Sequence, residues 1–306
     1  MTRSKILGVT IIILSIVILI AALGILPSRR PGALPTPEAA IGVINISGTI
    51  RSGGSGSDFF GGTTAGSDTI MNQIRRAKEE PEVKAVVLRI NSGGGSAAGS
   101  QEITEELLSL KETGKPVVAS MGDTAASGAY WIASVSDVIV ANPGTMTGSI
   151  GVITQIQNWE ELYQKIGIDH ETFVSGDHKD LGSAARGITD AERELLQGMV
   201  DDIFDQFLEI VAYGRGMSRE EVLPLADGRI FTGRQAQEAG LVDELGNLHY
   251  AVDKAADLAG IEKYELKYFV SVSPLQRLLQ SLGVNLSGLD LSGAADLLKI
   301  EPPLLH

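Results

Sequence analysis

The chain has 306 residues, enough for one large domain or two small ones, and carries 38 acidic against 25 basic side chains, a formal net charge of −13 at pH 7. Phosphate binding needs a basic stripe and none is present, which argues against a nucleic-acid partner. There is no cysteine, so disulfides, thiol catalysis and cysteine-based metal sites are excluded.

From Ile6 to Leu26 the chain runs for 21 residues without a charge and is dominated by Ile, Leu and Val, long enough to cross a hydrocarbon core as a helix. A cleaved secretory signal usually has an apolar region of only about 7–15 residues and an A-x-A-like cleavage site. Ala22-Leu23-Gly24 fits such a site poorly, so residues 1–26 are read as an uncleaved transmembrane anchor. Arg3 and Lys5 on one side nearly balance Arg29 and Arg30 on the other, and the α-amino group tips the count toward a cytoplasmic N-terminus. Residues 27–38 contain four prolines and suit an extended spacer.

The body, residues 39–270, opens with a strand over Ile41–Ile46. A Gly- and Ser-rich loop from Ser52 to Ser67 follows, carrying Phe59 and Phe60, which could line a substrate path, dip into a membrane interface or fold back on the core. The pattern then alternates: helix over Thr69–Glu79, nearly continuous apolar strand over Val83–Ile90, helix over Ala98–Glu112, and a strand over Pro116–Ser120 that leads to Ser127. Such alternation implies βαβ units and a sheet covered by helices, an α/β fold. No internal repeat is present. Thr189-Asp190-Ala191-Glu192 fits a capping box opening a helix to about Tyr213, and Thr232-Gly233-Arg234-Gln235 opens another that ends near Gly240. The tail, residues 271–306, places Leu275, Leu278, Leu279 and Leu282 at helical spacing and could pack on the domain, a partner copy or a membrane.

Ser127 lies in a run of small residues, Asp123-Thr124-Ala125-Ala126-Ser127-Gly128-Ala129-Tyr130, and Lys179 follows 52 positions later in Ser175-Gly176-Asp177-His178-Lys179. Between and before them stand Asn91-Ser92-Gly93-Gly94-Gly95 and Thr147-Gly148-Ser149-Ile150-Gly151. Asp227-Gly228-Arg229-Ile230-Phe231-Thr232-Gly233 and Gly240-Leu241-Val242-Asp243-Glu244-Leu245-Gly246 come after. In order and spacing these motifs resemble the signal peptide peptidase SppA family of membrane-anchored Ser/Lys proteases in its short, single-unit form, over about Ile41 to Ile261. The resemblance implies a crotonase/ClpP-like fold of repeated ββα units behind one transmembrane helix. It further implies an extracytoplasmic catalytic domain, remnant signal peptides and similar apolar segments as substrates, and a ring or dome of protomers, eight for this form. In such an assembly one chain can serve the site of another.

A serine hydroxyl is a poor nucleophile at neutral pH and needs a base and oxyanion donors. Ser127 stands where a strand gives way to a helix beginning near Gly128, where free N–H groups favour developing negative charge. A Ser-Gly pair more commonly just caps a helix. The N–H groups of Gly94 and Gly128 are the candidate oxyanion hole, although a glycine run can also be a plain turn. Where the family has Asn-Ser-Pro-Gly-Gly, Gly93 replaces the proline.

A lysine in a polar loop is ordinarily a solvated surface residue, and Lys179 is read as general base through the resemblance. The carboxylates of Asp177 and Asp180 would stabilise its ammonium form, so they must point away from the amine. The resemblance also places Ser149 beside the lysine, where its hydroxyl can orient the amine, in contrast to an ordinary strand-edge serine. Among His170, His178, His249 and His306, only His178 is near, and with Ser127 and Asp123 it would make a triad. No His/Asp/Glu cluster has metal-ligand spacing and no phosphate-cradling loop is present, so no metal or other cofactor is expected. Two other readings stay open: a proteolytically silent membrane-anchored scaffold or regulator of the same fold, and an acyl-CoA-binding crotonase, which the anchor fits badly.

Overall fold

The computed structural model describes residues 39–57 and 63–270. The anchor over Ile6–Leu26, the spacer, Phe59 and Phe60, and the Leu-rich tail lie outside the described residues. No helix among the described residues is long and apolar enough to cross a membrane.

The body begins with β1 (Ala40–Ser47), β2 (Thr49–Arg51), β3 (Gly56–Ser57) and β4 (Thr63–Gly66). Then come α1 (Ser67–Glu79), β5 (Val83–Ser92), α2 (Ala97–Lys111), β6 (Val117–Ala126) and the short α3 (Gly128–Ser134). β7 (Val138–Ala141) and β8 (Met146–Gly148) precede a long irregular stretch holding only α4 (Glu160–Ile166). The chain returns with α5 (Asp190–Arg215), α6 (Arg219–Val222), β9 (Ile230–Thr232), α7 (Gly233–Glu238), β10 (Glu244–Leu245), α8 (Leu248–Ala259) and β11 (Glu265–Phe269). The main sheet runs β10-β7-β6-β5-β1-β11 with all neighbours parallel; β8 joins β6, and β9 pairs with β8 antiparallel. β2, β4 and β3 form a separate small sheet, of which β3 and β4 fall inside the stretch read from sequence as a loop.

The apolar runs explain this arrangement. Strands of a parallel sheet covered on both faces read as continuous hydrophobic segments, as Val83-Lys84-Ala85-Val86-Val87-Leu88 does. Alternate residues go to opposite faces. Val86, Leu88 and Ile90 enter the larger core, beneath α1, α2, α3 and α5, whereas Ala85 and Val87 pack with Ala251, Val252, Ala255 and Ala256 of α8. α1 contributes Ile70, Ile74 and Ala77 from one buried face. The expected mixed α/β architecture is therefore present.

One irregularity positions the site. β6 pairs with β7 over Val118–Ser120, then leaves it and pairs with β8 over Thr124–Ala126. Its register against β5 slips between Ile90 and Ser92. Strand irregularities of this kind re-aim side chains, and in parallel sheets the carboxyl ends of the strands are where ligands bind. Ser127 follows β6 and the glycine run follows β5.

Candidate active site

Ser127 has φ 54° and ψ −127°, a backbone conformation that L residues avoid. Holding it costs on the order of 1–3 kcal/mol, and such residues cluster at functional sites. The surroundings enforce it: the Ser127 N–H donates to Gly148 O at 2.8 Å, and its carbonyl accepts from Trp131 N at 3.0 Å. Ser127 occupies the N-cap position of α3, yet its side chain makes no cap hydrogen bond. The hydroxyl is thus left for other chemistry beside the unpaired first-turn amides of the helix. α3 itself is wholly buried, with Tyr130 Oη donating to Leu241 O at 2.9 Å.

The glycine loop closes on this turn from the other side. A Cβ on Gly94 (φ 93°) would lie 2.7 Å from Gly128 N and 2.9 Å from Ser127 Cβ, so only glycine fits. The Gly94 N–H, expected to face the oxyanion, donates instead to the buried Ser92 hydroxyl at 3.0 Å, and that hydroxyl donates to Gly48 O at 2.6 Å. Gly95 lines the Ser127 cavity and Gly94 does not. The Gly95 N–H has no acceptor among the described residues, and its nitrogen lies 3.4 Å from a Cβ built on Gly128. A run of three glycines does not reveal from sequence which amide faces the serine.

Among the described residues Ser149 is the second non-glycine residue at positive φ, 49°, directly after Gly148 at 76°. The Asp227-Gly228-Arg229 turn holds it: Ser149 N donates to Arg229 O at 2.8 Å, and Gly228 N to Ile150 O at 3.0 Å. Arg229 Nε bonds both Asp227 carboxylate oxygens, at 2.8 and 2.9 Å, and this guanidinium holds the Asp227 carboxyl at about 2. Phe231 packs so closely on Gly148 that a Cβ there would meet it at 2.6 Å.

Ser127, Gly128, Gly95 and Ser149 share a cavity of about 710 Å³. Its remaining wall is mainly apolar, with Trp131, Val152, Ile153, Val200, Phe204 and Phe207. Trp131 and Phe207 stack with ring centroids 4.8 Å apart. A hydroxyl, the glycine backbone of Gly95 and Gly128 and an apolar wall together suit a carbonyl flanked by an apolar side chain. The apolar wall from α5 was not foreseen, because a Phe at helical spacing reads simply as core.

Lys179 does not line this cavity. It is exposed, in a segment of turns, and no residue from Gly151 to Ala191 is buried. The Asp180 carboxylate accepts from Arg186 Nε at 2.8 Å and Nη2 at 2.7 Å, which holds its carboxyl below the usual range. His178 and Asp123 also lie outside the cavity. His178 instead faces a separate groove with Glu194, Leu195 and Met199 of α5. Among the described residues no three His, Asp or Glu side chains are grouped to hold a metal.

Comparison with known proteins gives this geometry a family. The family model described as Peptidase family S49 matches residues 109–262. The chain is similar to Protease 4 of Haemophilus influenzae, 39% identical over 247 residues that cover 78% of this chain and 39% of that protein. It is similar to the chloroplastic serine protease SPPA of Arabidopsis thaliana, 35% identical over 263 residues covering 82% of this chain and 39% of that one. The slr0021 protein of Synechocystis sp. is 42% identical over 221 residues, 72% of this chain and 79% of its own. The chain spans about two fifths of the length of the Protease 4 relatives it matches. On the family match and on these identities, the chain belongs to peptidase family S49.

Proposed function

We propose that this chain is a serine endopeptidase of the signal peptide peptidase type, in which Ser127 is the nucleophile and Lys179 of a neighbouring copy is the base. Ser127 Oγ attacks the scissile carbonyl and passes its proton to the neutral Lys179 amine, which then protonates the departing amine of the peptide. Water hydrolyses the acyl-enzyme with the lysine again taking and returning a proton. The oxyanion rests on the N–H groups of Gly128 and Gly95, while Gly94, lacking a Cβ, keeps the hole open. Ser149 orients the incoming amine. The observation that carries this reading is the strained, uncapped Ser127 opening into an apolar cavity beside free amides.

A lysine from another copy is supported by the character of the 151–191 stretch. It exposes Ile153, Trp159, Leu162, Ile166 and Phe173, the last at 91%, which is surface suited to burial against a second chain. In this reading the copies close into a ring, eight by the resemblance to short single-unit relatives. Substrates are remnant signal peptides and similar apolar segments. Residues 1–26 anchor the chain in the membrane, residues 27–38 form the spacer, and the domain of residues 39–270 lies outside the cytoplasm, followed by the tail of residues 271–306.

Mixing tests it. Ser127→Ala and Lys179→Ala chains should each be inactive alone on a Leu/Ala-rich peptide, and co-assembly should restore part of the wild-type rate. No recovery in mixed assemblies, with both parents folded, would reject a base supplied across copies. That Lys179 stands away from the Ser127 cavity of its own chain also favours a silent scaffold, which inactive wild-type protein would support.

A further inference from the structure

The Lys179 segment has little to hold it. Asp177 to Lys179 are exposed, and the local backbone bonds are single turns, Lys179 N to Gly176 O at 3.0 Å and Leu181 N to His178 O at 3.2 Å. A backbone bond from Trp159 N to Ala184 O at 2.8 Å ties its far end to the exposed stretch before α4. Its tie to the α5 N-terminus is a side-chain clamp. Arg186 grips Asp180, the neighbour of Lys179, by the two bonds described above, and with its other edge grips Glu192, Nη1 to Oε2 at 2.8 Å and Nη2 to Oε1 at 2.6 Å.

Glu192 is the fixed end of this chain of contacts. Its side chain is 1% exposed, and it closes the capping box of α5 by accepting from Thr189 N at 2.8 Å. With Thr189 Oγ1 donating as well, at 3.1 Å, this buried carboxylate has four donors and is a rigid post, and a planar guanidinium bridging two carboxylates fixes their relative orientation.

We propose that Arg186 is a positioning residue for Lys179: it anchors the lysine's segment to α5 and occupies the Asp180 carboxylate that would otherwise pair with the amine. This rests on the reading of Lys179 as base. The charged and titratable groups around the segment are Asp177, His178 and Asp180 on it, and Arg186 and Glu192 in the clamp. Glu194 and Asp202 of α5 lie across the groove that His178 faces. Only Asp180 is both adjacent to the lysine and released when Arg186 is lost.

The experiment uses the full chain and compares pH–rate profiles of wild type, Arg186→Ala, Asp180→Asn and Arg186→Ala/Asp180→Asn. Loss of placement should lower kcat about 10- to 100-fold in all three variants. In Arg186→Ala alone, the freed carboxylate should also move the acid limb of the profile to higher pH, and adding Asp180→Asn should bring the limb back. A wild-type kcat in Arg186→Ala, or a lowered kcat with an unmoved limb, overturns the proposal. If Arg186→Ala does not fold, Asp180→Asn decides alone, because it keeps the Arg186–Glu192 pair: undiminished kcat overturns the positioning role. Full activity in Lys179→Ala would instead reject the underlying reading of the lysine.

Discussion

The Ser127 turn and the Lys179 segment are built in opposite ways. Ser127 sits between a wholly buried helix and the glycine loop, in a conformation that its neighbours impose through backbone bonds and contacts with no room for a Cβ. Lys179 rides on a stretch without a buried residue, tied to the body mainly by one guanidinium. The first region is completed by the fold of a single chain; the second, in the proposed reading, is completed by a neighbouring copy. Substitutions in the two regions should therefore fail differently, the first in stability and activity together, the second in activity and assembly alone.

The sharpest contrast comes from small changes at the turn. Gly94→Ala should abolish activity and destabilise the fold by several kcal/mol, because its Cβ must displace backbone atoms of Gly128 and Ala126; a denaturant titration beside an assay reads both. An active, stable Gly94→Ala protein would mean that the two loops are not locked together. In the lysine stretch, Phe173→Asp and Trp159→Ser should leave monomer stability within about 0.5 kcal/mol, as exposed positions do, yet reduce assembly and with it turnover. Sedimentation at matched concentrations checks this, and unchanged assembly with unchanged activity would erase the distinction between the regions.

A smaller effect separates the regions by pH. The Arg186 guanidinium holds the Glu192 carboxyl at about 2, below its usual value of 4.5. A depressed carboxylate stabilises the folded state above its ordinary range and loses that contribution as pH falls toward the folded value. The clamp should therefore loosen between about pH 4.5 and 2, and hydrogen exchange at the α5 N-terminus should quicken there before exchange in β5 does. Simultaneous loosening of both would contradict a separate clamp. The smallest expected change is Gly93→Pro. Gly93 has no positive φ, its N–H has no acceptor among the described residues, and a Cβ there meets nothing within 4 Å. A gain of about 0.4–1 kcal/mol with activity kept is expected. A loss would show that the Ser92 hydroxyl lock depends on glycine at this position.

Much of the body was legible in the sequence. The continuous apolar run of β5, the helices on either side of it and the capping box at Thr189 follow from periodicity and local hydrogen bonding, and each lies within a few residues of its expected bounds. The stretch from Val135 to Gly148 and the segments after Gly240 were harder, because strands of two to five residues such as β8, β10 and β11 depend on partners distant in sequence. The small sheet that β3 and β4 of the Ser52–Ser67 stretch make with β2 has the same cause. At the site, Ser127, Gly128 and Ser149 were visible as small residues around a turn. That the Gly94 N–H donates to Ser92 and that Gly95 lines the cavity was not, since both depend on where the Ser92 hydroxyl points. The Gly240–Gly246 motif is explained by packing: Leu241 O receives the Tyr130 hydroxyl and Asp243 pairs with Arg215.

The most direct test is turnover of a Leu/Ala-rich peptide by the full chain and by its Ser127→Ala, Lys179→Ala and His178→Ala variants, with folding and assembly verified for each. The expected result is loss of at least about 10⁴-fold in the serine and lysine variants and retention in the histidine variant. Activity that survives Lys179→Ala and vanishes in His178→Ala would contradict the serine–lysine mechanism.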